Sequence, residues 1–332
     1  MSRVQRSKVT SDTDSFRGSF FVPESREDWL TLAKSSGLLK KALGSLAKFG
    51  SGSRAKRKQH VLFKAIWSLP LDIDQFERDA EKYNLSNVWQ DACNLVASSQ
   101  ELQRYLSLVG KPQEFALLTE IDPSWPGSWA PLGKRKRDTA PQVEQVLEDD
   151  KPPSDESVTN TTLLLLLDAV LRLVPSAGCE FTMFRVAFEA NFRQAAFKAL
   201  TDGALWVKGD EQDIRAILEV KKGLRYDNHD KIRMQETAEL VSWLKKSYTP
   251  WNEHFNGHKV LFAEDGDEIW ITFALPTSTY AQYLSQDVPV EHAFLDITTY
   301  GPYRLDLKDH MERLCIVIAA IVLRVVYSLR PH

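Results

Sequence analysis

Two carboxylates and a lysine, Asp202, Glu219 and Lys221, have the residue types and spacing of a compact ionic cluster. Glu219 and Lys221 lie within the otherwise apolar run AILEVKK, which is typical of a β-strand. Because side chains alternate along a strand, these two point to one face, and Leu218 and Val220 point to the other, toward a core. The pattern leaves two interpretations open: an ion pair on a sheet surface, or half of a metal-dependent active site.

The position of Asp202 favours the second interpretation. Sixteen residues separate Asp202 from Glu219, and Asp202 begins the apolar run DGALWV, where Gly203 permits a sharp turn. If the two runs pair as a hairpin around the polar GDEQD, both carboxylates converge near one end of a sheet. Neighbouring carboxylates stay ionised together only with a cation nearby. Mg²⁺ suits such a pair, because it binds one or two carboxylates together with water and phosphate oxygens. Lys221 would then lie beside a metal-bound water.

The flanking periodicities predict the elements that must position these residues. Residues 203–208 and 214–221 are predicted to form an antiparallel hairpin, and a second hairpin is predicted around Asp265-Gly266. Predicted helices cover FTMFRVAFEANFRQAAFKAL before the first hairpin and KIRMQETAELVSWLKKS after it. A short strand at HAFLDI and a final helix from about Lys308 to Leu329 follow. This order predicts an α/β (α+β) core with a mixed central sheet flanked by helices.

Four segments are predicted along the chain. Residues 1–23 are expected to be flexible, and residues 24–122 to form a helical region of unknown role. Residues 123–157 are rich in Pro, Ser and Gly, with a basic cluster before an acidic one, so we expect a disordered linker. Residues 158–332 hold the mixed α/β domain with the ionic cluster.

The pattern Asp-x16-Glu-x-Lys on a hairpin between two helices resembles the PD-(D/E)XK, or restriction-endonuclease-like, nuclease superfamily. Members often carry a Glu on the helix before the hairpin, where FEANFRQAAF supplies Glu189, and a Gln on the helix after it, where MQETAELVSWL supplies Gln235. The second half is also similar to nuclease-like proteins of filamentous fungi. The resemblance covers roughly residues 162–329 and not the N-terminal half. Thr201 replaces the Pro of the family name, at a position that varies in the superfamily.

The resemblance implies a Mg²⁺-dependent (or Mn²⁺-dependent) nuclease acting on nucleic acid, with DNA as the expected substrate. It implies that Asp202, Glu219 and the Val220 carbonyl hold the metal. Lys221 would orient or stabilise the attacking hydroxide. Glu189 would assist a second metal or the water shell of the first, and Gln235 would position water or phosphate.

Each residue also has a purely structural interpretation. Glu219 and Lys221 could be a solvated ladder pair, and Asp202 a turn residue. Glu189 could pair with Arg193 on an exposed helix, and Gln235 could lie on a helix surface. The corresponding alternative function is a catalytically inactive nuclease-fold protein that binds nucleic acid or a protein partner. A third possibility makes the N-terminal helices the functional module.

Composition sets limits on location and partners. The 332 residues carry a formal net charge of -3, so no global basic field points to nucleic acid, although a basic cleft remains possible. The three cysteines have no paired spacing, which indicates a reducing compartment. The polar N-terminus predicts no secretory signal, and no membrane span is expected. Short basic runs at 54–58 and 134–137 are typical of import signals or nucleic-acid patches, so we expect a nuclear protein, with cytoplasmic residence left open.

Overall fold

The computed structural model of the chain describes residues 20–111, 155–246 and 253–330, and of residues 155–161, 227 and 253 the backbone alone. The predicted flexible start and the predicted linker lie outside these ranges, apart from residues 20–23 and 155–157. The last three residues of that linker belong to a helix, because helix α6 begins at Asp155.

The described helices and strands form a mixed α/β structure, as the sequence predicts. The helices are α1 (Arg26–Ser35), α2 (Arg57–Phe63), α3 (Ile73–Asp79), α4 (Ser86–Ser98), α5 (Gln100–Leu108), α6 (Asp155–Arg172), α7 (His229–Lys246), α8 (Tyr280–Gln286) and α9 (Lys308–Leu329). The strands are β1 (Ala65–Trp67), β2 (Cys179–Thr182), β3 (Ala187–Asn191), β4 (Ala196–Leu200), β5 (Gly203–Val207), β6 (Asp210–Lys221), β7 (Lys259–Asp265), β8 (Glu268–Pro276) and β9 (Leu295–Arg304). Nowhere in these ranges is a helix both long and apolar enough to cross a membrane.

Seven of the strands form one mixed sheet in the order β1-β9-β8-β7-β6-β5-β2. The pairs β6/β7 and β1/β9 are parallel, and the remaining neighbours are antiparallel. Parallel neighbours need a crossover connection, and α7 supplies it between β6 and β7. Strands β3 and β4 form a separate two-stranded sheet.

Both predicted hairpins are present. Strands β5 and β6 pair antiparallel, and the polar residues from Asp210 onward belong to β6 rather than to the turn. In the second hairpin Asp265 pairs with Glu268, so the two turn residues are Gly266 and Asp267, one position later than predicted. The final helix spans Lys308–Leu329, as predicted.

The predicted helix over residues 181–200 is wrong, because this segment contains the end of β2 and all of β3 and β4. In β3 and β4, buried and exposed residues alternate, which is the period of a strand. The phenylalanines that suggest a helical face share no environment: Phe188 is 1% exposed and Phe184 is 73% exposed. Strand pairing with a hairpin partner therefore decides this segment, not its phenylalanine spacing.

The sheet separates two apolar cores. Helices α4, α6 and α9 pack on one face, and β6 contributes Ala216, Leu218 and Val220 to that core. The other face is covered by α1, α2, α7 and α8, and there β6 contributes Ile217. Strand alternation then places Glu219 and Lys221 on the face covered by α7.

Candidate active site

The end of the first hairpin brings Asp202 next to the last residues of β6. The pairing of β5 with β6 begins at Gly203 and Leu218, and the backbone N–H of Asp202 donates to the Leu218 carbonyl at 2.9 Å. A side chain at Gly203 would place its Cβ 2.3 Å from the Thr182 carbonyl, so close strand contact requires glycine here. One carboxylate oxygen of Asp202 accepts the Val220 N–H at 3.0 Å. This oxygen therefore takes the place of the next strand partner along β6.

Glu219 is the central residue of the cluster and is 2% exposed. Its Oε1 accepts a hydrogen bond from the Lys221 ammonium and another from Gln235 Nε2, the latter at 2.5 Å. Its Oε2 is buried and has no hydrogen-bond partner among the described residues. Gln235 is carried by α7, so strand and helix together hold one oxygen of this carboxylate and leave the other unpaired.

Glu239 is a further member of the cluster that the sequence analysis missed. Gln235 Nε2 donates to Glu239 Oε1 at 2.9 Å, so one amide nitrogen bridges the carboxylates of Glu219 and Glu239. Glu239 is fully buried, and its Oε2 also lacks a partner within the described chain. The i,i+4 spacing from Gln235 to Glu239 within QETAEL was the available signal, because residues four apart share a helix face.

The charges of the cluster shift its proton affinities. Burial raises the pKa of Glu219 to about 8; the charge of Lys221 opposes this rise, and that of Asp202 adds to it. Burial likewise raises the pKa of Glu239 well above its ordinary value, and the charge of Glu219 adds to that effect. Burial opposes the charge of Lys221, but the adjoining Glu219 outweighs it, so the pKa of Lys221 is raised. Ionised together, Glu219 and Glu239 would carry more negative charge than Lys221 alone compensates, and their raised pKa values reflect this.

Asp202 is also in contact with an exposed cation. Arg185 Nη2 lies 3.2 Å from Asp202 Oδ1, and the Arg185 side chain is 65% exposed whereas that of Asp202 is 15% exposed. Thr201, which stands where the family name has Pro, is fully buried and donates its hydroxyl to the Gly203 carbonyl at 3.1 Å. Thr201 thus supports the start of β5, and its difference from Pro leaves the placement of Asp202 intact.

Glu189 is not among the residues brought together. The helix expected to carry it does not exist, and Glu189 lies exposed on β3, opposite Lys198 of β4. Its neighbours Phe188 and Ala190 are the buried residues of that strand. The sheet period thus directs Glu189 to solvent on a sheet separate from the one that holds Asp202 and Glu219.

The oxygen atoms around Asp202 suit a hard divalent cation. Within the described ranges, no group of three or more His, Cys, Asp or Glu side chains is arranged to hold a metal ion. Mg²⁺, however, needs only one or two carboxylates; Glu219 has an unpaired Oε2, and its carboxyl is under the electrostatic influence of Asp202. The Val220 carbonyl is expected to face the same edge of β6 as the Leu218 carbonyl, which accepts the Asp202 N–H, because backbone groups two residues apart on a strand share an edge.

A buried ionic clamp supports the loop that follows β6. Arg225 donates to Asp265 at the end of β7 at 2.7 Å and to both carboxylate oxygens of Glu236 on α7, at 2.5 and 3.1 Å. All three side chains are at most 3% exposed. The Arg225 guanidinium also lies 5.0 Å from the centre of the Trp270 ring. Planar bidentate pairing of this kind fixes the loop against both elements.

Lys221 and Gln235 also line a cavity of about 490 Å³ between the end of β6 and α7. Asp202 and Glu219 are not among its lining residues. Lys221 and Gln235 thus lie between the carboxylates on one side and an open cavity on the other.

Comparison with protein-family models, with curated proteins and with solved structures found no match to this chain. The chemistry of the site must therefore be argued from its own geometry.

Proposed function

We propose that the chain is a Mg²⁺-dependent nuclease that hydrolyses phosphodiester bonds of DNA. One observation carries the proposal: Asp202, Glu219, Val220 and Lys221 converge at one end of the sheet. Glu219 belongs to this group and has an unpaired Oε2, and its partner Lys221 lines the neighbouring cavity. Gln235 on the helix after the hairpin joins the same group, as the resemblance to PD-(D/E)XK nucleases implies. Glu189 has no role in this proposal.

In the proposed reaction, Asp202, Glu219 and the Val220 carbonyl would hold the metal. When bound, Mg²⁺ supplies Lewis acidity toward the phosphate and toward water. The Lys221 ammonium stabilises the negative charge of the attacking oxygen and of the phosphate. Gln235 keeps Glu219 in place through its amide. A water oxygen bonds to phosphorus in line with the breaking P–O3′ bond, the proton passes to O3′, and the products are a 5′-phosphate and a 3′-hydroxyl.

The test is cleavage of supercoiled plasmid by the full chain, with Mg²⁺, with Mn²⁺ and with chelator. We expect nicking or linearisation only with metal, and none by Asp202→Asn. A labelled RNA tested in parallel decides between the two nucleic acids. Absence of metal-dependent cleavage of both substrates by wild type would refute the nuclease proposal.

A second candidate is a nuclease-fold protein that binds nucleic acid or a protein partner without cutting. The observation in its favour is that no cluster of three metal-binding side chains is found in the described part of the chain, while Glu219 is already paired with Lys221. This candidate predicts nucleic-acid binding that is unchanged by chelator, with no cleavage under any metal.

We further propose a nuclear location, on the strength of the short basic runs in the sequence. The run KRKR at residues 134–137 lies outside the described residues, between Pro131 and Pro141. We expect alanine substitution of these four residues to move a fluorescent fusion from nucleus to cytoplasm. A cytoplasmic wild-type fusion would contradict nuclear localisation, and an unchanged nuclear signal would assign import to residues 54–58 or to passive entry.

A further inference from the structure

The cavity beside the carboxylates has walls from both halves of the chain. The end of β6 and the following loop form one wall, α7 forms another, and a turn of the N-terminal half forms the third. Its lining residues include Gly52, Arg54, Lys221, Lys222, Lys231 and Gln235. Its volume of about 490 Å³ falls in the range of ligand-binding pockets.

The charge of the cavity has a single sign. The described residues that line it include four cations, Arg54, Lys221, Lys222 and Lys231, and no acid. Arg54 and Lys231 are exposed at its rim. Lys221 is paired with Glu219, so the positive potential of this concave surface comes from Arg54, Lys222 and Lys231, on a chain with net charge -3. The favoured occupant is a polyanion with regularly spaced charges, such as a phosphate backbone.

Two side chains connect this cavity to the carboxylates. Lys221 lines the cavity and pairs with Glu219, and Gln235 lines it and donates to both Glu219 and Glu239. A phosphodiester strand lying along the cations would therefore pass next to the proposed metal-binding oxygens. An acidic peptide would be attracted by the same positive potential, but it would bring no phosphate next to the proposed metal-binding oxygens.

The turn that forms the N-terminal wall of the cavity is held in place by hydrogen bonds and by close packing. The Gln59 side chain, 1% exposed, accepts the Gly50 N–H at 2.9 Å and donates to the Gly50 carbonyl at 3.3 Å. A Cβ at Gly52 would lie 2.9 Å from the Cα of Ala199, so only glycine lets this turn pack against β4. These contacts hold Arg54 at the cavity rim.

We propose that this cavity binds the phosphate backbone of the nucleic-acid strand beside the cleaved bond, and that Arg54 of the N-terminal half is a substrate-binding residue together with Lys231. The inference rests on the proposed function for the identity of the strand. It assigns the N-terminal half a direct role in binding, in place of a separate one.

Binding is measured without cleavage. Full-length chain carrying Asp202→Asn is titrated into a fluorescein-labelled DNA duplex in chelator, and anisotropy gives the Kd over a range of salt concentrations. We expect Arg54→Ala and Lys231→Ala each to weaken binding about tenfold, the loss expected for one charged hydrogen bond. Each should also reduce the slope of log Kd against log salt by about 1.

Matched controls separate the cavity from general charge. Arg57→Ala removes the same charge three residues from Arg54, at a position that does not line the cavity, and should leave the Kd unchanged. Gly52→Ala should weaken binding by displacing the turn. Thermal melts show whether each variant is folded.

The outcomes are distinct. No binding of DNA or RNA at low salt, an equal loss for Arg57→Ala, or no loss for Arg54→Ala overturns the inference. Competition by polyglutamate as strong as that by unlabelled DNA overturns the choice of nucleic acid. A chain that binds as expected but never cuts refutes the nuclease proposal and leaves the cavity assignment standing. If wild type cuts but Arg54→Ala binds normally, the cavity assignment is refuted and the nuclease proposal stands.

Discussion

Glu219 concentrates the chemistry of the site in one side chain. It is nearly fully buried, is held through one oxygen by Lys221 and Gln235, and keeps its second oxygen unpaired. A buried unpaired carboxylate oxygen costs free energy of folding unless a cation or proton compensates it. The pKa of Glu219 is raised, first of all by burial, so a bound proton can provide this compensation. A bound divalent cation would provide it instead.

The residue-scale prediction distinguishes the lysine from the carboxylates. Lys221→Ala should strongly slow cleavage while Mg²⁺ affinity stays equal or rises slightly, because a cation beside the metal is removed. Asp202→Asn and Glu219→Gln should abolish cleavage and also weaken Mg²⁺ binding, because each replaces a negatively charged proposed ligand with a neutral amide. The loss of rate for Lys221→Ala should be about a hundred- to a thousandfold, as for one preorganised charge-stabilising group. Calorimetric metal titration beside cleavage of a labelled duplex measures both quantities.

Two further variants test this assignment. Lys221→Arg should restore activity only in part, because a planar guanidinium does not place its charge where an ammonium does. Glu189→Gln should cut at the wild-type rate, because its side chain is exposed on a separate sheet. Cleavage by Lys221→Ala at the wild-type rate would remove Lys221 from the mechanism.

At the scale of elements, the Arg225 clamp ties β7, α7 and the cavity loop together. Arg225→Ala leaves Glu236 and Asp265 buried without their cation, and breaking a buried pair costs about 3–5 kcal/mol. Arg313→Ala breaks the exposed pair with Asp74 and should cost less than about 1 kcal/mol. Urea unfolding of both variants gives the free energies. Equal losses would show that the clamp adds no stability beyond a surface pair.

A second element-scale prediction concerns Glu264 on β7, which is 1% exposed and has an unpaired Oε2 among the described residues. Burial raises its pKa from 4.5 to about 8, and the charge of Asp265 adds to the rise. Between these pH values the folded chain holds a proton that the unfolded chain has released, so the free energy of unfolding falls as pH rises. The contribution of Glu264 is complete below pH 4.5 and is lost as pH rises through about 8.

Glu264→Gln removes this titration. The variant should therefore gain stability relative to wild type as pH rises through the same window, and the thermal unfolding midpoints of the two should diverge. Glu189→Gln, on an exposed position, serves as the control and should track wild type. A constant difference between Glu264→Gln and wild type at all pH values would mean that Glu264 does not carry the proton.

At the scale of the whole molecule, the two halves share one sheet and both cores. Strand β1 pairs with β9, and Trp67 at its end donates its indole N–H to Thr237 of α7 at 2.9 Å. The hydroxyls of Tyr280 and Tyr283 donate to the carbonyls of Phe63 and Leu62. These contacts fill the face that carries the candidate site.

A truncated chain of residues 158–332 should therefore fail to fold alone, because it exposes the sheet edge at β9 and the apolar surface beneath α1 and α2. Coexpression with residues 1–122 should restore a soluble complex with a cooperative melt. Circular dichroism and thermal unfolding of each preparation give the answer. A stable, cooperative fold of residues 158–332 alone would contradict this prediction and make the C-terminal half an independent folding unit.

Local patterns determined much of the site. The alternation in AILEVKK predicted the face shared by Glu219 and Lys221, and helical spacing predicted the helix that carries Gln235. The hairpin over residues 203–221 followed from two apolar runs around a polar segment. Such features depend on neighbours a few residues apart, so a single sequence contains them.

Tertiary structure decided the rest. The segment around Glu189 is a hairpin because β3 pairs antiparallel with β4. The phenylalanine spacing, which favours a helix, does not indicate this pairing. Glu239 joins the ionic cluster only because α7 packs across the end of β6. Arg54 lines the cavity next to Lys221 although it lies more than a hundred residues earlier in the sequence. Contacts between residues so far apart in sequence depend on how helices and strands pack against one another, and the periodicity of a single segment does not determine that packing.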